Sequence, residues 1–303
     1  MVWDPVPLPY KSDSLPSSPL PTTEEIRACT NILFELWYKV VAINDEIIVK
    51  YYPCNHTYEG QVLLFLERHV PHIPAPRLYS MYRDPATHET FLIMQRIPGE
   101  SLETVWPSLT ESEKDGIVGK LRETFESLHA VPCPKPDYYG GLDGGHLRHD
   151  FFLHSQGLDG PSGLGPFYGE ESFVAGMIDS YRAQTEQNGR PTHKARFYET
   201  YLPRVVKGHR PTLTHCNLKK QHIMVMEKKE QRNEKGDRSL DVVLLNWAFA
   251  GWYPEFFEFM SAAELFFLVD WEDDWCWRVT QFLDVYPAEY GIMQMASKDF
   301  RGF

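Results

Sequence analysis

Hydrophobic positions change period several times along this chain, and each change marks an element. Thr22 and Glu25 have the spacing of a capping box, and Ile26, Ile32, Leu33 and Leu36 supply a helical stripe, which predicts a helix over residues 23–37. The Val-, Ile- and Tyr-rich runs 38–43 and 46–52 flank Asn44-Asp45, a pair that tolerates a tight turn, and predict a hairpin. Val62, Leu63, Leu66 and Val70 return to helical spacing over 57–70, and Pro71, Pro74 and Pro76 end that run. Strands follow at 77–82 and 90–95. The first part of the chain therefore reads as a small antiparallel sheet with a helix laid against it.

Pro98-Gly99 breaks the pattern where a hinge fits. Beyond it, Thr110 and Glu113 form a second capping-box pair, with Ile117, Leu121, Phe125 and Leu128 on one side of a helix reaching about residue 131. Residues 132–169 are dense in Gly and Pro and read as a long loop, either a functional cover or a connector. Helices are predicted at 171–188 and 193–202, and strands at 212–214, 223–226 and 240–245. The last two strands bracket EKKEQRNEKGDRS, a solvated charged turn. From Pro254 onward aromatics and acids recur at mostly helical spacing. The resulting division is a flexible Pro-rich leader over 1–21, a sheet lobe over 22–96 and a helical lobe over 97–303, with the region 212–254 carrying its loops.

Composition narrows the function classes. Thirty Lys+Arg against 42 Asp+Glu over 303 residues give a formal charge of -12, which opposes attraction to nucleic acid or anionic membrane. The 5 cysteines are scattered without a CxxC pair, as expected of reduced thiols. The window 256–269 is interrupted by Glu258 and Glu264 and is too short to span a bilayer. The amino-terminal segment has no basic cluster followed by an apolar run, so the expectation is a cytoplasmic protein whose partner is a small molecule, with a protein partner left open.

Three places carry chemistry. Lys50 ends the strand IIVK and Glu59 opens the next helix; such a pair is either two solvated side chains or the lysine–glutamate arrangement that kinases use to hold nucleotide phosphates. TLTHCNLKKQHIMVM sets His215, Asn217 and His222 in one loop between short strands, either a turn with a structural histidine or a catalytic loop. Two histidines and an amide do not make a zinc site, and no metal is expected from this spacing. Asn246 leaves an apolar strand just ahead of Gly251-Trp252-Tyr253-Pro254, as a turn former or as a site residue. No glycine-rich phosphate loop occurs, and there is no glycine between Leu33 and Lys50.

The order of these pieces, with EEIRAC, IVKYY, IPAPRLYSMYRD, IMQRIPGESLETVWPSLTESEK, KARFYETYLPRV, LTHCNLKKQHIMV, LNWAFAGWYPEFFEF and EDDWCWRV, resembles the aminoglycoside phosphotransferase and choline-kinase-like family, in particular its fungal branch. The resemblance implies an α+β, protein-kinase-like bilobal fold, with nucleotide between the lobes at Lys50, Glu59 and Asn246. It also implies a catalytic loop resembling His-Gly-Asp with Asn five residues after the Asp, and a metal-holding Ile-Asp-Trp-Glu. Here Cys216 stands for the glycine, Asn217 for the first aspartate, His222 for the asparagine and Asn246 for the second aspartate.

An amide accepts no proton at neutral pH, so Asn217 positions a hydroxyl without deprotonating it, and magnesium prefers the hard anionic oxygens that Asn246 and His222 lack. Asp241, Glu255 and Glu258 lie too far along the chain to replace them without a backbone shift. Trp247, Trp252 and Tyr253 are expected to form an aromatic rim of the cleft. The sequence thus predicts a kinase-fold protein that has lost phosphoryl transfer, needs no cofactor, and uses His215, Asn217 and His222 to bind or transform a small organic molecule, in keeping with fungal secondary metabolism. The alternatives are a divergent ATP- and Mg-dependent small-molecule phosphotransferase, and a noncatalytic pseudokinase acting as regulator or scaffold.

Overall fold

In the computed structural model, residues 3–149, 151–154, 162–232, 237–263 and 273–300 are described. Tyr10–Lys11 form β1. Thr22 caps α1 (Thr23–Ala28) through both arms of the expected capping box, but the helix ends there. The following run is β2 (Ile32–Glu35), paired with β3 (Lys39–Ala42). A short apolar run fits either period, and the pairing energy of the hairpin selects the strand. Ile32, Leu33 and Leu36, assigned by the sequence to a buried helical stripe, are instead exposed on an edge strand and its turn.

Then come β4 (Ile47–Tyr52), α2 (Tyr58–His69), β5 (Leu78–Arg83) and β6 (Thr90–Gln95), all within two residues of their predicted bounds. The sheet has six strands in the order β1-β5-β6-β4-β3-β2, antiparallel throughout. Its period of two sorts the side chains. Ile47 and Val49 face α1 with Ile26, Val41, Phe91 and Ile93, whereas Ile48, Lys50 and Tyr52 share the face covered by α2. On that face Val62, Phe65 and Leu66 pack over Leu78, Met81 and Leu92.

The leader is not a free tail. The Trp3 indole is buried edge-on to Phe65 with ring centroids 5.9 Å apart, and the Gln61 amide bonds both the N–H and the C=O of Val6, each at 2.8 Å. β1 pairs with β5, and the Glu46 carboxylate accepts from Ser17 and Ser18. Burial of one large aromatic and satisfaction of the backbone offset the entropy that the prolines already reduce.

The chain leaves the first sheet at Gln95 and enters a second through β7 (Glu100–Ser101), followed by α3 (Leu102–Val105) and α4 (Glu111–His129), which carries the predicted Thr110–Glu113 capping box. Four short strands come next: β8 (Tyr138–Tyr139), β9 (Leu153–His154), β10 (Ser162–Gly163) and β11 (Phe167–Tyr168). The long Gly/Pro-rich stretch is therefore partly pinned structure. Gly140 exchanges backbone hydrogen bonds with Trp252 at 2.9 and 3.0 Å; residues 150 and 155–161 of the stretch lie outside the described ones.

α5 (Glu170–Gln187), α6 (His193–Val205), β12 (Pro211–Thr214), β13 (Ile223–Arg232), β14 (Arg238–Leu244) and β15 (Gly251–Pro254) follow in the predicted order. β14-β13-β7 form one small sheet and β12-β15 another. The tip of the charged β13–β14 turn, 233–236, and residues 264–272 of the acidic aromatic stretch are outside the described residues. The rest of that stretch forms α7 (Phe257–Ala263), α8 (Trp275–Val279) and α9 (Pro287–Phe300). One core joins α2, α4 and β14; a second joins α5, α6, α7 and α9. No cysteine forms a disulfide, and no helix among the described residues is long and apolar enough to cross a membrane.

The crossing between the lobes depends on Gly99. Its φ is +105°, and a Cβ there would lie 2.1 Å from the Val225 carbonyl oxygen on β13. Gly99→Ala should lower unfolding free energy by roughly 2–4 kcal/mol, from backbone strain plus a clash with rigid backbone. Urea denaturation checks this, and a loss under about 0.5 kcal/mol, the usual size for a neutral surface change, would contradict the assigned conformation.

Candidate active site

Lys50 sits in the middle of the sheet, opposite Val40 and Leu92, and is 4% exposed. A buried ammonium requires compensation. It receives this first from Glu59 in the opening turn of α2, with Nζ to Oε2 at 2.7 Å. The same carboxylate oxygen accepts the Tyr52 hydroxyl at 3.0 Å. Burial alone would raise the Glu59 carboxyl, but the Lys50 charge, its hydrogen bond and that of Tyr52 outweigh burial and leave it below the usual carboxylate range.

The second partner comes from the other lobe. Lys50 Nζ donates to Asn246 Oδ1 at 2.9 Å. Asn246 leaves β14 with φ +64° and ψ +60°, the left-handed region an asparagine tolerates, and this turns its side chain back toward the sheet lobe. Only the amide oxygen can accept from an ammonium, so the Asn246 NH2 faces outward and meets His222 Nε2 at 3.1 Å. His222 must then accept at Nε2 and carry its proton on Nδ1, which donates to the Asn217 carbonyl at 2.8 Å. A continuous relay results, running from Tyr52 through Glu59, Lys50, Asn246 and His222 to the Asn217 backbone.

The third face of the ammonium is aromatic. The Tyr38 ring lies 4.2 Å from Lys50 Nζ and the Tyr52 ring 5.5 Å. Tyr38 leaves the β2–β3 turn and stacks on Phe34, with centroids 4.7 Å apart; Tyr52 in turn stacks on His56 at 4.5 Å. Burial, aided by the Glu59 charge, pushes the Tyr38 phenol up to about 12. Beyond Tyr38, Leu36 and Trp37 stand 74% and 82% exposed at the hairpin tip.

His215 lies beneath this relay. Its ring is fully buried, edge-on to Trp247; Nε2 contacts the Leu245 carbonyl at 2.9 Å and Nδ1 accepts the Asn217 N–H at 3.3 Å. Both nitrogens are committed to backbone, so it shapes the loop. Cys216 beside it has φ +61°, a conformation natural for the glycine that the family motif implies and strained for a residue with a side chain. Asn217 is mostly buried; its backbone N–H and C=O are bonded to His215 and His222, and its side-chain amide makes no hydrogen bond to the described residues.

Sequence reasoning missed three supports. The Glu258 carboxylate, 1% exposed, accepts the backbone N–H of His215 at 2.7 Å and of Cys216 at 3.1 Å and holds the loop in shape. A lone acid inside the apolar run FFEFM was the available signal. Tyr52 was legible as the residue two beyond Lys50 on the same strand face, but Tyr38 depends on how the hairpin folds. The expected aromatic rim is corrected: Trp247, Trp252 and Tyr253 are 0–1% exposed and belong to the core. Asp241 pairs with Lys120 and Lys228, and Glu255 with Arg210, so neither acid joins the relay.

Residues 55–298 match the profile of the phosphotransferase enzyme family. The chain belongs to that family. No curated protein sequence matches it. Among solved structures it is similar to a streptomycin–ATP ternary complex of APH(2")-IIa, at 15% identity and a TM-score of 0.57 over 90% of this chain and 85% of that one. It is also similar to the GDP complex of aminoglycoside 2'-phosphotransferase-IIIa, at 12% identity and TM-score 0.55 over 90% and 85%. A ternary complex of a thermostable mutant of aminoglycoside phosphotransferase APH(4)-Ia with ADP and hygromycin B gives 13%, 0.54, 92% and 90%. At these identities the likeness establishes the kinase-like α+β fold. The magnesium that such a fold implies does not fit the donors of the relay: it holds one carboxylate, already bound to Lys50, and the Asn246 oxygen faces an ammonium.

Burial pushes the His222 ring down to about 4, despite its hydrogen bond to the Asn217 carbonyl. An unfolded histidine titrates near 6.5, so between about pH 6.5 and 4 the unfolded chain binds the extra proton and the folded one does not. Stability contributed by this ring is therefore intact above pH 6.5 and declines as pH falls to 4. In 15N NMR His222 should show the Nδ1–H tautomer at pH 7. Asn246→Asp, which replaces a donor to Nε2 by an acceptor, should raise the His222 pKa by about 1–3 units. An unchanged pKa in that variant would contradict the relay.

Proposed function

We propose that this kinase-fold protein of the phosphotransferase family no longer transfers phosphoryl groups and uses the cleft between its lobes to bind or transform a small organic molecule. The observation that carries the reading is the saturation of Lys50: a carboxylate, a neutral amide and an aromatic ring occupy the faces on which phosphate oxygens would be received. Asn217, Asn246 and His222 stand where the family motif has a base and two metal-facing groups. Loss of a general base alone removes about 10² to 10⁴ in rate, and loss of the counter-ion for a transferring phosphoryl acts on the same step.

The cleft keeps what a neutral polar ligand needs. The Asn217 amide offers a donor and an acceptor without a protein partner among the described residues, and Leu36 and Trp37 leave apolar surface exposed in the turn that carries Tyr38 to Lys50. A place in fungal small-molecule metabolism rests on the sequence resemblance. The solved relatives bind aminoglycosides and nucleotides in their complexes, which favours a small-molecule occupant here as well. The divergent-phosphotransferase reading is favoured by the intact Lys50–Glu59 pair, and the scaffold reading by the exposed apolar edge strand β2.

A coupled ATPase assay with Mg-ATP and a panel of aminoglycosides, choline and simple amino alcohols decides between them. The wild-type protein should give no turnover above background. Asn217→Asp, His222→Asn and Asn246→Asp together, combined with Tyr38→Gly, should restore measurable ATP hydrolysis. Mg-dependent wild-type turnover that Lys50→Met abolishes would overturn the reading in favour of the active phosphotransferase.

A further inference from the structure

A cavity of about 300 Å³ lies away from the Lys50 relay, behind α2, where the helix, the proline-rich turn after it and the ends of β5 and β6 meet. That volume is at the lower end of small-molecule sites. Its floor is apolar, made by Leu63 and Leu66 of α2 with Ile73 and Ala75 of the turn. Its rim is polar and mostly donating. Tyr79 is mostly buried, but its hydroxyl reaches solvent at the pocket and makes no hydrogen bond to the described residues. Arg77 gives only Nε to Glu67, at 3.2 Å, so both terminal guanidinium nitrogens are uncommitted among those residues. Gln95 uses its oxygen to accept the Arg77 N–H at 3.3 Å, which turns its NH2 outward as a further donor.

We propose that this cavity is a second ligand site, selective for a small amphipathic carboxylate whose apolar tail fills the Leu63–Ile73 floor and whose head is held by Arg77 and Tyr79. The Tyr79 hydroxyl is open to the pocket and free to donate to an incoming acceptor. A guanidinium with two parallel free N–H groups matches a carboxylate in bidentate geometry. Glu67 is the one acid at the rim. It is tied to Arg77 Nε, so it orients the guanidinium and also sets a repulsion that the head group must overcome.

The place of the cavity gives an occupant leverage. Leu63 lies one turn beyond Glu59 on α2, and the Pro74 carbonyl in the same turn accepts the Leu244 N–H of β14 at 2.8 Å, two residues before Asn246. The elements carrying both polar partners of Lys50 therefore border the site. The inference does not depend on whether the cleft transfers phosphate, because it concerns a different cavity read by binding alone.

Methyl-labelled protein titrated with hexanoate, hexan-1-ol and hexylamine tests it. Hexanoate should shift the Leu63, Leu66 and Ile73 methyl resonances saturably, with a Kd on the order of 1 mM. Hexanol should bind at least fivefold more weakly. Ala75→Phe, which fills the cavity, should abolish the shifts, and Arg77→Gln, a rim change that spares the core, should weaken hexanoate at least fivefold without altering hexanol. Equal binding of hexanol, tighter binding of hexylamine, unchanged affinity in Arg77→Gln, or shifts confined to other methyls would each overturn the proposal.

Discussion

A single buried ammonium organises this molecule. Lys50 enters the interior of the sheet lobe on a strand whose neighbours are apolar, and a charge placed there is tolerated only if its partners come to it. Glu59 fixes the position of α2 against the sheet, Asn246 ties the other lobe across the cleft, and Tyr38 draws the β2–β3 turn down over the same point. Each partner lies on a different element, so the ion pair sets the relative positions of the helix, the cleft floor and the cleft cover. Removing Glu59 leaves an uncompensated buried charge, which costs more than the lost contact.

The character of the partners then sets the chemistry. One carboxylate balances the ammonium, and every other group in the relay is neutral, so the cluster has no surplus negative charge for a divalent cation. The Asn246 amide also fixes proton positions, because its oxygen faces Lys50 and its NH2 selects the His222 tautomer. The backbone beneath is fixed in shape, with Cys216 and Asn246 both left-handed and Glu258 binding the loop amides. The kinase-like fold is kept, while the relay around Lys50 carries a single carboxylate.

How much of this was legible follows from the range of each interaction. The β3–β4 hairpin, α2 and α4 were legible because period and caps are local, and the Lys50–Glu59 pair because it joins adjacent elements. The run ILFELW misled because its spacing fits a helix as well as a strand, and only pairing with β3 decides. The leader misled because proline content speaks of the free chain, whereas Trp3 is held by residues about sixty positions away. Tyr38 over Lys50 and Glu258 under the loop depend on tertiary closure, and Trp247, Trp252 and Tyr253 were placed at a surface because aromatic content alone does not distinguish rim from core.

On the proposed reading, the cleft offers no place for a divalent ion beside a nucleotide. Electron paramagnetic resonance of Mn²⁺ with a non-hydrolysable ATP analogue addresses it directly, because protein-bound Mn–nucleotide broadens the free-ion spectrum. Adding this protein should leave the spectrum of the Mn–nucleotide complex unchanged at protein concentrations up to about 100 μM, where a site of even moderate affinity would be populated. A stoichiometric, saturable change that disappears in Lys50→Met would contradict the account.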